Sequence, residues 1–227
     1  MVELLRNSAI LGHLPEDELH ELAGRVHRTQ YAKDEFIFRK GDKGSGLMVV
    51  VSGRVKITSV GATGSEVLLN MIDPGRVFGE IALLDGEPRS ADAVAASPTE
   101  IITLLRRDFL PILSNHPDAA LRMMGVLTQR IRQSTLFVED AVFLDAPTRL
   151  LHRLHALADQ YGHTDPNTGV LRIEHGLSQQ SLGDSVGLTR VSINRQLATW
   201  REQGLIEDGR GWIAILNPDK LNDFVQG

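Results

Sequence analysis

Two stretches of this 227-residue chain gather side chains suited to chemistry. In the first, residues 76–94 (RVFGEIALLDGEPRSADAV), a glycine-led turn precedes a carboxylate, a short apolar helical pattern and an Arg-Ser pair. Gly79 lets backbone approach a ligand closely because it carries no Cβ. Backbone N–H groups at the start of the Glu80–Leu84 turn point outward and can hold an anion. Arg89 can grip phosphate through forked, charge-assisted hydrogen bonds, and Ser90 can donate another. Glu80 accepts hydrogen bonds, which suits a ribose hydroxyl and repels a bare phosphate. The same residues also permit an ordinary ion pair of Arg89 with Glu80 or Glu87.

The second stretch is residues 177–206 (LSQQSLGDSVGLTRVSINRQLATWREQGLI). Ser178 can cap a short helix that buries Leu182 and Val186. Gly187 supplies a tight turn, with Leu188 as a buried plug. Thr189 can cap a second helix whose inner face is Ile193, Leu197 and Trp200. Two short helices joined by a glycine-bearing turn are a helix-turn-helix. The outer face of the second helix carries Arg190, Ser192, Asn194, Arg195 and Arg201, with no acid before Glu202. Arginine can fork onto guanine O6 and N7, while Ser and Asn can meet base edges or phosphates. Ser178 and Gln179 can reach backbone phosphates. The segment GLIEDGRGWIAI reads as a hairpin wing with Arg210 at its tip. A solvated two-helix corner would show the corner alone; corner, basic face and wing in order indicate binding of double-stranded DNA.

These residues need a scaffold. From Tyr31 to about Arg106, β-rich runs (EFIFR, LMVVVSG, RVKITSV, EVLLNMI, ADAVAAS, EIITLL) alternate with glycine-bearing turns, the signature of a small sandwich or barrel-like roll. A short helical pattern precedes them, begun by Pro15 and by Glu16, Asp17 and Glu18 in its first turn. RDFLPILSN reads as a further short helix. Pro117 then opens a long one that runs to about Leu144. Its apolar face holds Leu121, Met124, Leu127, Ile131, Val138 and Val142, and Ile131 and Val138 stand seven apart, as in a coiled-coil seam; the same face also permits simple packing of the helix on its own domain. Asp145 and Pro147 start the next helix, which Gly162 ends. TDPNTG reads as a connector, the chain beyond it as helical, and Pro218 opens a last short helix. The domain boundary falls near Asp145, giving residues 1–115, a helix and hinge at 116–145, and residues 146–227.

Composition narrows the function classes. Hydrophobic residues are 42% and charged residues 23%, an ordinary globular balance. The formal net charge is −5, so DNA binding must rest on a local basic surface. With no cysteine there is no disulfide and no cysteine-held zinc or iron–sulfur cluster, which fits a reducing, cytoplasmic setting. The N-terminal residues are acidic and lack the apolar run of a signal peptide, and no stretch is long enough to span a bilayer. No nucleophile–base set, metal cluster or Walker-type loop appears, which argues against an enzyme. Of the eight histidines, His152 and His155 read as helix surface or core residues rather than metal or haem ligands.

The two stretches together resemble the cyclic AMP receptor (CRP/FNR) family of bacterial transcription regulators, over nearly the whole chain. FGEIALLDGEPRSA is similar to that family's phosphate-binding cassette. The resemblance implies an α+β fold: an N-terminal β-roll of the jelly-roll kind, a long dimerisation helix and a C-terminal winged helix-turn-helix. It implies that Gly79 and Glu80 meet ribose and phosphate, and that Arg89 and Ser90 meet the cyclic phosphate of cyclic AMP. Ser134 and Thr135 stand where the family carries a Thr-Ser pair that reaches the purine across a homodimer, here in swapped order. Arg130 stands where a basic residue lines the same pocket. The resemblance also implies near-palindromic DNA and RNA polymerase as partners, with cyclic GMP, another effector or none as alternatives. The family's recognition helix commonly reads Arg-Glu-Ser/Thr-x-x-Arg. Here Val191 replaces the acid, so cytosine loses an acceptor and a thymine methyl gains an apolar neighbour.

Overall fold

The computed structural model describes residues 2–6, 8, 10–62 and 64–226. The chain divides into two compact units, residues 1–133 and 134–227.

The first unit opens with helices α1 (Val2–Arg6) and α2 (Glu16–Ala23). Eight strands follow: β1 (His27–Tyr31), β2 (Phe36–Phe38), β3 (Gly46–Ser52), β4 (Val55–Val60), β5 (Glu66–Ile72), β6 (Val77–Phe78), then helix α3 (Glu80–Asp85), and β7 (Asp92–Ala95) and β8 (Thr99–Leu105). Helix α4 (Arg106–Asn115) and the first part of α5 (Pro117–Phe143), which runs on into the second unit, complete the series. The strands form two four-stranded antiparallel sheets, ordered β1-β8-β3-β6 and β2-β7-β4-β5. Neighbours in each sheet are distant in sequence, so the chain crosses repeatedly between sheets, as in a roll.

Alternation along the strands builds two cores from one sheet. Val50, Phe78 and Ile101 of the first sheet meet Val55, Ile72 and Ala93 of the second. Leu47, Val49, Val77, Ile102 and Leu104 face the other way, onto Leu5, Leu19, Leu22, Leu83, Phe109, Ile112 and Met123. Each such side chain, fully buried, contributes about 1.5–3 kcal/mol. This outer layer fixes α3 and the start of α5 against the sheet that carries the cassette.

Strands β1 and β6 are absent from the sequence reading. HRTQY has no apolar alternation; it joins through its backbone pairing with β8 and an ion pair of Arg28 with Glu100. β6 is two residues long.

Helix α5 begins with the Pro117–Asp118 start expected of it. At 27 residues it is about 40 Å long. Ala119 and Met123 are buried. Leu121, Met124, Ile131, Val138 and Val142 are more than half exposed, and Leu127 is half-buried. Among the described residues no helix is long and apolar enough to cross a membrane.

The second unit continues with α6 (Ala146–Tyr161), β9 (Gly162–Thr164), β10 (Leu171–Ile173), α7 (Gln179–Asp184), α8 (Arg190–Glu202), β11 (Ile206–Gly209), β12 (Trp212–Ile215) and α9 (Pro218–Gln226). Asp145 caps α6 by accepting the Thr148 N–H at 2.9 Å. Four strands form the sheet β11-β12-β10-β9. The chain after the TDPNTG turn is therefore a strand, not helix: β10 returns antiparallel on β9 and pairs with β12. Its run is three residues, too short for an alternation to show. Leu150, Leu154, Leu157, Ile173, Leu182, Ile193, Leu197, Trp200 and Ile213 are buried in this unit.

Candidate functional site

The cassette sits where β6 ends. Gly79 adopts φ 77°, the left-handed region that favours glycine, and so turns the chain from β6 into α3. A Cβ there would stand 2.5 Å from Arg89 Nη1, so Gly79 also makes room for the arginine. The Arg89 segment is pinned to a neighbouring loop: its N–H donates to the Asp42 carbonyl and its carbonyl accepts from Gly41, each at 2.8 Å.

Arg89 is 5% exposed. Its Nη1 donates to the Gly79 carbonyl at 2.6 Å and its Nη2 to the Gly46 carbonyl at 3.2 Å. The guanidinium lies over the Phe38 ring, 4.3 Å from its centroid. Burial pulls its pKa below the ordinary arginine value, while Glu80 and Asp42 pull the other way. Glu80 is fully buried and pairs with neither Arg89 nor bulk water: its Oε1 accepts from Arg130 Nη1 at 2.5 Å. Arg130 Nη2 donates to the Val77 carbonyl at 2.7 Å. Burial pushes the Glu80 carboxyl up, against the opposing pull of Arg130 and Arg89. Ser90, next in sequence, is exposed.

Two polar atoms remain. Arg89 Nε and Glu80 Oε2 are buried without a hydrogen-bond partner among the described residues. One is a donor on a cation and the other an acceptor on an anion. Buried polar atoms are nearly always bonded, so these two, of opposite kind in one cassette, have capacity for a water or a ligand. Sequence reasoning did not include Phe38, Gly46 or Val77 in this set. Two of the three act through backbone carbonyls, which no residue type signals.

Ser134 and Thr135 follow Arg130 by about one turn of α5 and are exposed. They belong to the second unit, whereas Arg130 belongs to the first.

In the second unit the expected corner is present. Ser178 Oγ accepts the Ser181 N–H at 3.0 Å and caps α7; Thr189 Oγ1 accepts the Ser192 N–H at 3.2 Å and caps α8. Gly187 makes the turn between them at φ 67°. Leu188 is half-buried rather than a fully buried plug, while its N–H donates to the Gly183 carbonyl at 2.9 Å. Ile193, Leu197 and Trp200 point inward. Arg190, Val191 and Arg195 are exposed on the opposite side, and Ser192 and Asn194 are half-buried. Gln179, half-buried, and Ser178, exposed, open α7. Arg210 is exposed at the β11–β12 turn. A cleft of about 530 Å3 runs between these elements, lined by Ser178, Gln179, Arg190 and Arg210 among others.

One arginine is committed elsewhere. Arg201 Nε stands 3.0 Å from Asp208 Oδ1, a charge contact in which the carboxylate side chain is 7% exposed. It ties the end of α8 to the wing, so Arg201 does not join the open basic face.

Comparison with known proteins finds relatives for both parts of the chain. Residues 28–116 match the cyclic nucleotide-binding domain family, and residues 148–224 match the Crp-like helix-turn-helix domain family. The chain belongs to the CRP/FNR family of transcription regulators. It is 29% identical over 224 residues to the cyclic AMP receptor protein of Thermus thermophilus, covering 98% of this chain and 99% of that one. It is also 29% identical over 194 residues to the global nitrogen regulator of Synechocystis sp., covering 85% of each chain. A solved structure of a CooA variant from Carboxydothermus hydrogenoformans superposes with a TM-score of 0.78 at 22% identity, over 90% of each chain, a likeness of fold. Membership of the family makes this chain a DNA-binding regulator with a cyclic nucleotide-binding domain, and not an enzyme. The cassette lies inside the first matched segment and the corner and wing inside the second; Arg130, Ser134 and Thr135 lie in neither.

Proposed function

We propose that the protein is a homodimeric, cytoplasmic regulator that binds cyclic AMP in its first unit and a near-palindromic DNA site with its second. The orphan pair in the cassette carries this reading: Arg89 Nε offers a donor to the cyclic phosphate, and Glu80 Oε2 offers an acceptor to the ribose hydroxyl. Gly79 keeps the approach open and Ser90 adds a hydroxyl at the rim. Arg130 holds Glu80 from α5, and Ser134 and Thr135 on the same helix supply hydroxyls to the purine across the dimer. The exposed apolar stripe of α5 pairs the two chains. The ligand thereby biases the seam beyond Val138, and with it the DNA-reading helices of residues 146–227. In that domain Arg190, Val191, Ser192, Asn194 and Arg195 face bases, and Ser178, Gln179, Thr189 and Arg210 face the backbone. Helix-turn-helix dimers reach half-sites about 34 Å apart. RNA polymerase is the expected protein partner.

A second reading keeps the DNA-binding half and changes the effector to cyclic GMP, another ligand or none. It is favoured by the global nitrogen regulator standing as close in identity as the cyclic AMP receptor protein. Calorimetric titration of cyclic AMP and cyclic GMP, with and without a palindromic duplex, separates the two. Cyclic AMP binding strengthened about 5–150-fold by the duplex, with the reciprocal effect on DNA, is the expected result. Binding of neither nucleotide refutes the first reading and leaves the second.

A further inference from the structure

Val191 is 77% exposed. Within residues 146–226 the other exposed large apolar side chain is Phe224, at 45%. An isolated exposed valine is unremarkable on a general surface. This one lies in the first turn of α8, directly after Thr189 and Arg190. Asn194 and Arg195 follow it by three and four residues, so the four outward side chains at 190, 191, 194 and 195 form one patch. The opposite side of the helix is fixed in the core by Ile193, Leu197 and Trp200. The patch therefore cannot rotate inward to hide the valine. Being β-branched, Val191 holds a narrow set of rotamers and presents a rigid isopropyl group.

We infer that Val191 makes this protein a reader of the pyrimidine 5-methyl group in the DNA major groove. The inference rests on the reading of α8 as the helix that enters that groove. First-turn residues of such a helix meet base edges. Valine has no hydrogen bond to give or accept, so a base edge with an amino or carbonyl group loses water there without compensation. The thymine methyl is the apolar feature of the groove, and contact with it is the gain open to valine. The cytosine edge lacks that methyl, but 5-methylcytosine carries it at the same ring carbon. Each half-site thus holds one thymine recognised through its methyl, and a methylated cytosine there partly substitutes for it.

The test begins with selection of bound sequences from a random duplex pool by the full-length protein, with the effector that supports binding. The selected site is then rebuilt with deoxyuridine replacing each thymidine in turn, which removes the methyl and leaves base pairing intact. One symmetric thymine is expected to be sensitive, losing about fourfold in affinity per half-site and about 15-fold when both are replaced. Val191→Ala should abolish that sensitivity while other thymines respond as before, and its exposure leaves folding undisturbed. 5-methylcytosine at that position should bind more tightly than cytosine with Val191 and equally with alanine. Insensitivity to uracil at every thymine, or a sensitivity that persists in Val191→Ala, overturns the inference while the selected palindrome keeps the DNA-binding reading intact. A pool that yields no enriched site overturns both.

Discussion

Replacing Arg130 by alanine tests whether charge ties α5 to the cassette. In the native chain Arg130 spans two acceptors, Glu80 Oε1 at 2.5 Å and the Val77 carbonyl at 2.7 Å. The variant leaves the fully buried Glu80 carboxylate without that cation. Stranding one member of a buried pair costs ~3–5 kcal/mol. Arg130 keeps 22% of its side chain exposed, so solvent reaches the pair and the low end, about 3 kcal/mol at pH 7, applies. The loss must depend on pH. Burial already raises the Glu80 pKa, and losing Arg130 raises it further, so the carboxyl takes up a proton as pH falls. The penalty therefore shrinks as pH falls through the raised folded value, because a neutral carboxyl needs no cation. Adding Glu80→Gln to Arg130→Ala removes the stranded charge and recovers about 2 kcal/mol at pH 7. Urea unfolding with two signals reads this out. Trp200 and Trp212, the chain's two tryptophans, both lie in the second unit, so their fluorescence follows that unit, while far-ultraviolet circular dichroism follows both. The shift belongs in the dichroism transition alone, fitted as a separate step since a two-unit chain need not unfold in one. Equal losses in the single and double variants, or a loss that does not shrink as pH is lowered while the fold persists, refute the charge account.

The wild-type carboxyl gives its own pH signature. A group raised on folding stabilises fully below its unfolded pKa and loses that contribution as pH rises through its folded value, so Glu80→Gln should flatten the fall in first-unit stability over that window. Asp145 behaves oppositely: hydrogen bonds from the Thr148 side chain and N–H hold it below the usual value, so its contribution is present above the unfolded pKa and lost as pH falls through the folded one. Asp145→Ala should cost about 1 kcal/mol at neutral pH, measured by tryptophan fluorescence in urea, and less in acid. In the proposed two-fold seam, Val138→Glu places a carboxylate opposite its symmetry mate and should weaken dimerisation about 100-fold by light scattering, with DNA binding lost alongside. Asp208→Asn removes the partner of half-exposed Arg201 and should cost about 1 kcal/mol in the fluorescence transition.

What could be read from the chain follows from how each signal is encoded. Glycines at 79 and 187 mark positions where only a left-handed backbone closes the turn, and both take that conformation. Caps at Asp145, Ser178 and Thr189 are local, since each side chain bonds an N–H three residues on. Strands buried on one face carry their alternation openly, as in β3, where Leu47 and Val49 serve one core and Val50 the other.

The rest required folding, because its determinants are separated in sequence or carry no side-chain signal. Arg89 and Glu80 are nine residues apart and of opposite charge, yet they do not bond each other; the tertiary structure gives Arg89 two backbone carbonyls and gives Glu80 an arginine fifty residues away. A carbonyl acceptor such as that of Gly46 or Val77 exists at every residue, so only its placement selects it. β1 is a strand because β8 offers it an edge, and Arg201 is tied down because Asp208 faces it from the wing. By itself the sequence determined the local turns, caps, amphipathic faces and the residue types of both sites. The tertiary structure decided which charges are satisfied and which polar atoms of the cassette lack a partner among the described residues, because burial and pairing are properties of neighbours brought together from distant parts of the chain.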